Sequence, residues 1–284
     1  MSKVARIWCS NFSIVVNFIK VLATQMMGQT ISLFRFLLLG VLNLRLFALV
    51  SILVIVAGLL SSFITELAIV NSHAIAAALL ADMLRYALVL LALLVIITSV
   101  AQDFEFKQFE RLLTMPVSRW QYIVAQLMAV MAISSLLVLP VFPVVALVAN
   151  IDVAFYWALA LWLEILLVGM LGMVAILALE KIPQAVIFSL AVYLFAKVSG
   201  LISQMLTESV KLSDGAAANR FADMVFNGIL HLIPRLEAFA QNDVFFESGE
   251  LSAMLFAQFG TVALYTLFLL AVSLIDFYRK EFNI

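Results

Sequence analysis

Apolar residues along this chain neither alternate nor keep to one face; they run. Six stretches of roughly 20 residues or more carry few or no charges: 45–66, 80–101, 119–148, 155–179, 184–206 and 252–277. A helix of about 20 apolar residues crosses a hydrocarbon core of about 30 Å, and it satisfies its own backbone groups in lipid. A membrane β-barrel would instead show segments of about 10 residues alternating in polarity. The pattern therefore predicts an all-α integral membrane protein with six transmembrane helices. The third stretch is longer than a membrane needs. It holds Pro140 and Pro143, which predict a kink or an exit there.

Ahead of the first run the pattern changes. Arg6, Ser10, Ser13, Asn17, Lys20 and Thr24 recur at spacings of three and four, with Ile7, Trp8, Val15, Phe18, Ile19 and Leu22 between them. That is a helical period with one cationic-polar stripe and one apolar stripe. It predicts an N-terminal amphipathic helix in the membrane interface, within a cytoplasmic or interfacial segment 1–44 that precedes the membrane domain 45–284. A second amphipathic piece, 29–42 with Arg35, leads into the first span.

Composition strengthens the membrane reading. Hydrophobic residues make up 66% of the 284, charged residues 12%, and mean hydropathy is +1.19. Soluble domains carry about 45–50% apolar and about 25% charged residues. A net charge of −1 gives no reason to expect a nucleic-acid partner. The single cysteine, Cys9, leaves no intrachain disulfide framework and no CxxC metal site. The first strong apolar core begins near Arg45, deep in the chain, so no cleavable signal peptide is expected.

Cations set the orientation. Lys3, Arg6, Lys20, Arg35 and Arg45 lie before the first span, Lys107, Arg111 and Arg119 after the second, Lys181 after the fourth, and Arg279 and Lys280 after the last. The segments 71–79 and 150–154 hold none. Both termini are therefore expected in the cytoplasm; the expected location is a bacterial inner membrane, crossed several times. Tyr86, Tyr156 and Trp157 are read as aromatics of the outer interface, Trp120, Tyr122 and Tyr278 of the inner one. The outer segment 207–250 carries a turn at Ser213-Asp214-Gly215. Its apolar stripe, Phe221, Met224, Val225, Ile229, Leu232 and Ile233, ends at Pro234 and predicts a helix lying in or dipping into the outer leaflet.

Two charges fall well inside predicted spans, Glu164 in the fourth and Lys197 in the fifth. A lone charge at such depth costs at least about 2.5 kcal/mol. Their depths match across a tight turn, so the two are expected to pair, either as a staple between helices or as a polar spot on a substrate path. Asp82 and Arg85, spaced i, i+3, are read as a local pair at headgroup level.

The cytoplasmic loop 102–119 is the most informative segment. Phe106, Phe109, Leu112 and Leu113 fall on one helical face, and Lys107, Glu110, Arg111 and Thr114 on the other. Pro116 ends the helix. Ser118 and Gln121 form a capping box for the third span. The result is a short amphipathic stub tied to two spans, able to dock in a partner's groove and move both.

The run Glu110-Arg-Leu-Leu-Thr-Met-Pro-Val-Ser-Arg119 resembles the coupling-helix signature of type-2 ABC transporter permeases, through Leu112, Leu113, Pro116, Val117, Ser118 and Arg119. Pro234 followed by Phe239 resembles that family's outer segment before the last span. As architecture the resemblance covers nearly the whole chain; as a motif it covers about ten residues. It implies a permease subunit paired with a second permease, identical or similar, and with two cytoplasmic ATP-binding cassette ATPase subunits. Phe106, Phe109, Glu110, Arg111, Leu112, Leu113, Pro116 and Arg119 would sit against the ATPase. The chain has no G-x-x-x-x-G-K-[ST] phosphate loop, so ATP is expected on the partner chain and no cofactor on this one. Export is the expected direction.

Three rivals remain. A membrane-embedded protease needs a histidine or paired acids at depth; His73 and His231 both fall in outer segments. A secondary transporter usually shows internal repeats with broken helices. A six-span scaffold would share the architecture without moving a substrate. The turn Glu180–Pro183 is read as a plain hairpin with Pro183 at a helix start.

Overall fold

The computed structural model describes residues 46–67, 72–105, 119–148, 150–212, 236 and 251–279. They form seven helices: α1 (Leu46–Leu67), α2 (Ser72–Glu105), α3 (Arg119–Val138), α4 (Phe142–Val148), α5 (Ile151–Leu179), α6 (Ile182–Leu212) and α7 (Leu251–Arg279). Five segments among the described residues are long and apolar enough to cross a membrane: Ala77–Gln102, Trp120–Leu147, Ile151–Leu179, Ile182–Ser199 and Gln258–Asp276. They mark the chain as a multi-pass integral membrane protein. The first expected span appears as the helix α1, whose shorter apolar part runs Leu49–Leu60. The segment 1–44, most of the loop 102–119 and most of the outer segment 207–250 lie outside the described residues. α6 continues through Leu212, past the expected end of the fifth span.

The helix α5 is the axis of the bundle. It packs against α2, α3, α4, α6 and α7, while α1 lies along α2. Two glycines allow its close approach to α2. A Cβ on Gly169 would stand 2.5 Å from Ile96 Cδ1 and 2.9 Å from Val130 Cγ1, and one on Gly172 would stand 2.9 Å from Leu93 Cδ1. Without a hydrophobic drive between helices in lipid, such close packing is what holds spans together. Ala158, Ala160, Leu161, Ile165, Val168 and Met173 fill the remaining sides of α5 and are all buried.

The third span is broken where its prolines stand. α3 ends at Val138, Leu139–Val141 form a turn, and α4 resumes at Phe142. Pro140 has no N–H to offer the Leu136 carbonyl, and the Val141 N–H donates to Val138 O (3.1 Å), three residues back rather than four. Pro143 then falls in the first turn of α4, where its missing N–H removes no intrahelical bond. By contrast α2 runs unbroken for 34 residues.

The turn between α5 and α6 is only Glu180 and Lys181 long. Glu180 adopts a left-handed conformation (φ 60°), and its N–H caps α5 by donating to Ile176 O (3.0 Å). Pro183 is the second residue of α6, where its missing N–H removes no intrahelical bond.

Candidate functional site

Glu164 and Lys197 lie about 16 residues on either side of the Glu180–Lys181 turn, roughly 24 Å along each helix at about 1.5 Å per residue. The antiparallel hairpin therefore brings them level. Lys197 Nζ stands 2.7 Å from Glu164 Oε1, in a close ion pair rather than an aligned hydrogen bond. The same carboxylate oxygen accepts a hydrogen bond from the Tyr193 hydroxyl at 3.0 Å. Tyr193 is one turn before Lys197 on the same face of α6.

A third charge joins from α2. Arg85 Nε lies 3.8 Å from Glu164 Oε2, on the other side of the carboxylate. The sequence reading sets Arg85 at headgroup level beside Asp82; in the structure Arg85 is 1% exposed and Glu164 0%. The reason is helical phase. Arg85 shares a face with Ala81, Leu88, Ala92 and Ile96, all buried against neighbouring helices. The apolar stretch of α2 also begins at Ala77 rather than near residue 80, which sets Arg85 about a turn deeper than the sequence boundaries imply.

Aromatic rings close the cluster. The Arg85 guanidinium carbon lies 5.9 Å from the Trp157 ring centroid. Lys197 Nζ lies 5.8 Å from the Tyr86 centroid and 5.9 Å from that of Tyr193. Such contacts contribute about 0.5–2 kcal/mol each, more when water is absent. The aromatics read from sequence as an outer girdle therefore divide. Tyr86 is exposed on the bundle surface, whereas Trp157 and Tyr156 turn inward. Trp157 stacks on Arg85, and Tyr156 Oη accepts a hydrogen bond from Gln258 Nε2 at 3.0 Å, tying α7 to α5. Sequence reasoning picked out Glu164 and Lys197 as a pair but missed Arg85, Tyr193 and Trp157 as their partners. No polar–apolar contrast around α2 marks the face of Arg85 in the sequence; its burial follows from the packing of α2 on α5.

A second feature lies at the break in the third span. An apolar cleft of about 360 Å³ opens there, lined by Leu139, Phe142, Phe155, Leu159 and Trp162 among others. Trp162 Nε1 donates to Ser135 Oγ (3.0 Å), and Ser135 Oγ donates to Met131 O (2.9 Å), so the polar atoms at its edge satisfy one another. Among the described residues no three His, Cys, Asp or Glu side chains stand close enough to hold a metal ion.

No family model matches this chain, and no curated protein matches it at a significant level.

The coupling residues expected from the sequence, Phe106, Phe109, Glu110, Arg111, Leu112, Leu113 and Pro116, lie outside the described residues. Arg119 is the first residue of α3. The two ends of the loop are thus helical, α2 running to Glu105 and α3 starting at Arg119.

Proposed function

We propose that the chain is the permease subunit of an ATP-driven ABC transporter, working as an exporter. It crosses a bacterial inner membrane six times, with α1 as the first span and both termini in the cytoplasm. Segment 1–44 is a cytoplasmic or interfacial amphipathic segment. The loop 102–119 docks on a separate cytoplasmic ATPase, and a second permease, identical or similar, completes the transport unit.

One observation carries this reading: the run Glu110–Arg119 stands between two long membrane helices, α2 and α3. A short amphipathic stub held by helices at both ends passes displacement to two spans at once. These 284 residues hold no G-x-x-x-x-G-K-[ST] run, which fits a permease whose ATP is bound outside them.

Copurification from membranes in mild detergent tests it. A stoichiometric cytoplasmic ATPase should accompany the chain and be lost on Phe109→Asp or Glu110→Arg. A stable, isolated monomer without an ATPase overturns the reading. Cys9, the one native cysteine, reports the orientation: an impermeant maleimide should label it in inverted vesicles and leave it unlabelled in intact cells. The opposite pattern refutes a cytoplasmic N-terminus.

A further inference from the structure

The two spans that flank the loop 102–119 differ in a way that decides where movement can go. α2 is one unbroken helix of 34 residues. Arg85 lies about 20 residues before its loop-side end, roughly 30 Å away along the helix. The span on the other side of the loop is interrupted at Leu139–Val141, so a 20-residue rod, α3, and a 7-residue rod, α4, are joined by a turn. A turn with i→i−3 bonding and a proline absorbs angular change; a continuous helix does not.

At Arg85 the unbroken rod meets the charge cluster. Glu164 of α5 has Arg85 of α2 on one oxygen and Lys197 of α6, with the Tyr193 hydroxyl, on the other. Trp157 of α5 backs Arg85, and Tyr86 of α2 backs Lys197. Every contact in the cluster therefore crosses from one of the three helices to another or braces one that does. Sliding α2 past α5 by one residue would pull a guanidinium off a carboxylate that has no exposure to water. Glu164 would keep Lys197, but the buried guanidinium would lose the carboxylate opposite it, which is strongly unfavourable.

We propose that Arg85, Glu164 and Lys197 form a latch that makes α2, α5 and α6 a single moving block, with the outer part of the third span, α4, free to move apart from α3. Displacement applied at the loop end of α2 then reaches the outer half of the bundle through Arg85, while displacement applied at the loop end of α3 is absorbed at the Pro140 turn. Glu164 is the hinge pin of the block because its carboxylate meets both cations, Arg85 at one oxygen and Lys197 at the other. The proposal stands on the helix geometry whatever molecule engages the loop.

Spin-label pairs in the full-length Cys9→Ser protein, reconstituted in lipid nanodiscs, test it through the widths of their distance distributions. Labels at Leu79 on α2 and Ile187 on α6 report on the block, labels at Phe155 on α5 and Ile187 report on the hairpin alone, and labels at Met131 on α3 and Leu147 on α4 report on the break. All five positions are exposed on the bundle surface. The Leu79–Ile187 distribution should be narrow and at least double in width on Arg85→Gln, while Phe155–Ile187 stays unchanged, since Lys197 still holds Glu164. Glu164→Gln should widen both. The Met131–Leu147 pair should be broader than Leu79–Ile187 in the parent and indifferent to either substitution. An unchanged Leu79–Ile187 width in Arg85→Gln overturns the latch, even where Glu164→Gln fails to fold. A Met131–Leu147 distribution as narrow as that of the block overturns the free outer segment. Both outcomes are independent of ATPase copurification, so the latch and the permease reading fail separately.

Discussion

The helices α5 and α7 are each 29 residues long, and both are apolar enough to span a membrane. Within their membrane windows, 78% of α5 is buried inside the protein and 17% of α7. The difference is not hydrophobicity but what each helix must hide. α5 carries a carboxylate at mid-depth and two glycines that would leave gaps against lipid. Only the centre of the bundle supplies cations from two directions and side chains to fill the glycine notches. α7 presents Phe256, Phe259, Leu264, Leu267 and Phe268 outward, and it reaches α5 through the Gln258–Tyr156 bond and its packing. In lipid, position within a bundle follows from the polar and the small residues, since every helix has enough apolar ones.

That contrast can be broken from either side, and thermal unfolding in one mild detergent reads each case. The largest effect should come from Glu164→Leu. It removes the buried carboxylate that Arg85 and Lys197 share, a loss of about 3–5 kcal/mol. An unfolding midpoint within a degree of the parent would show that the cluster contributes nothing to the fold. Gly172→Val should come next, because its side chain meets Leu93 and Ile97 of α2. Overpacking of this kind costs about 1–3 kcal/mol. The smallest effect belongs to α7. Leu267 is 67% exposed, and Leu267→Ala exchanges one lipid contact for another, so its change should stay within about 0.5 kcal/mol. A loss on Leu267→Ala as large as that on Gly172→Val would mean that α7 is covered by protein at that point rather than by acyl chains.

Much of this was legible in the run lengths. Uncharged stretches of about 20 residues mark the helices because lipid allows few alternatives, and Pro140 marks the break in the third span by its missing N–H, with Pro143 placed where a new helix can start. Matched distances from a short turn bring Glu164 and Lys197 level. Arg85 was harder. In a span apolar on every side, no hydrophobic contrast shows which face meets the next helix, so its burial follows from the packing of α2 on α5. Trp157 and Tyr156 mislead for a related reason. Aromatics near a helix start suit both a headgroup belt and a bundle interior, and only the neighbours, Arg85 and Gln258, decide.

The two-residue turn at Glu180–Lys181 has a consequence for how the chain is made. With only two residues between them the adjoining ends of α5 and α6 cannot separate, a geometry suited to entering the bilayer as one hairpin. Inserted singly, each would carry a naked charge into hydrocarbon at a cost of about 2.5–3.5 kcal/mol. Inserted as a pair, Glu164 and Lys197 neutralise each other before either meets lipid.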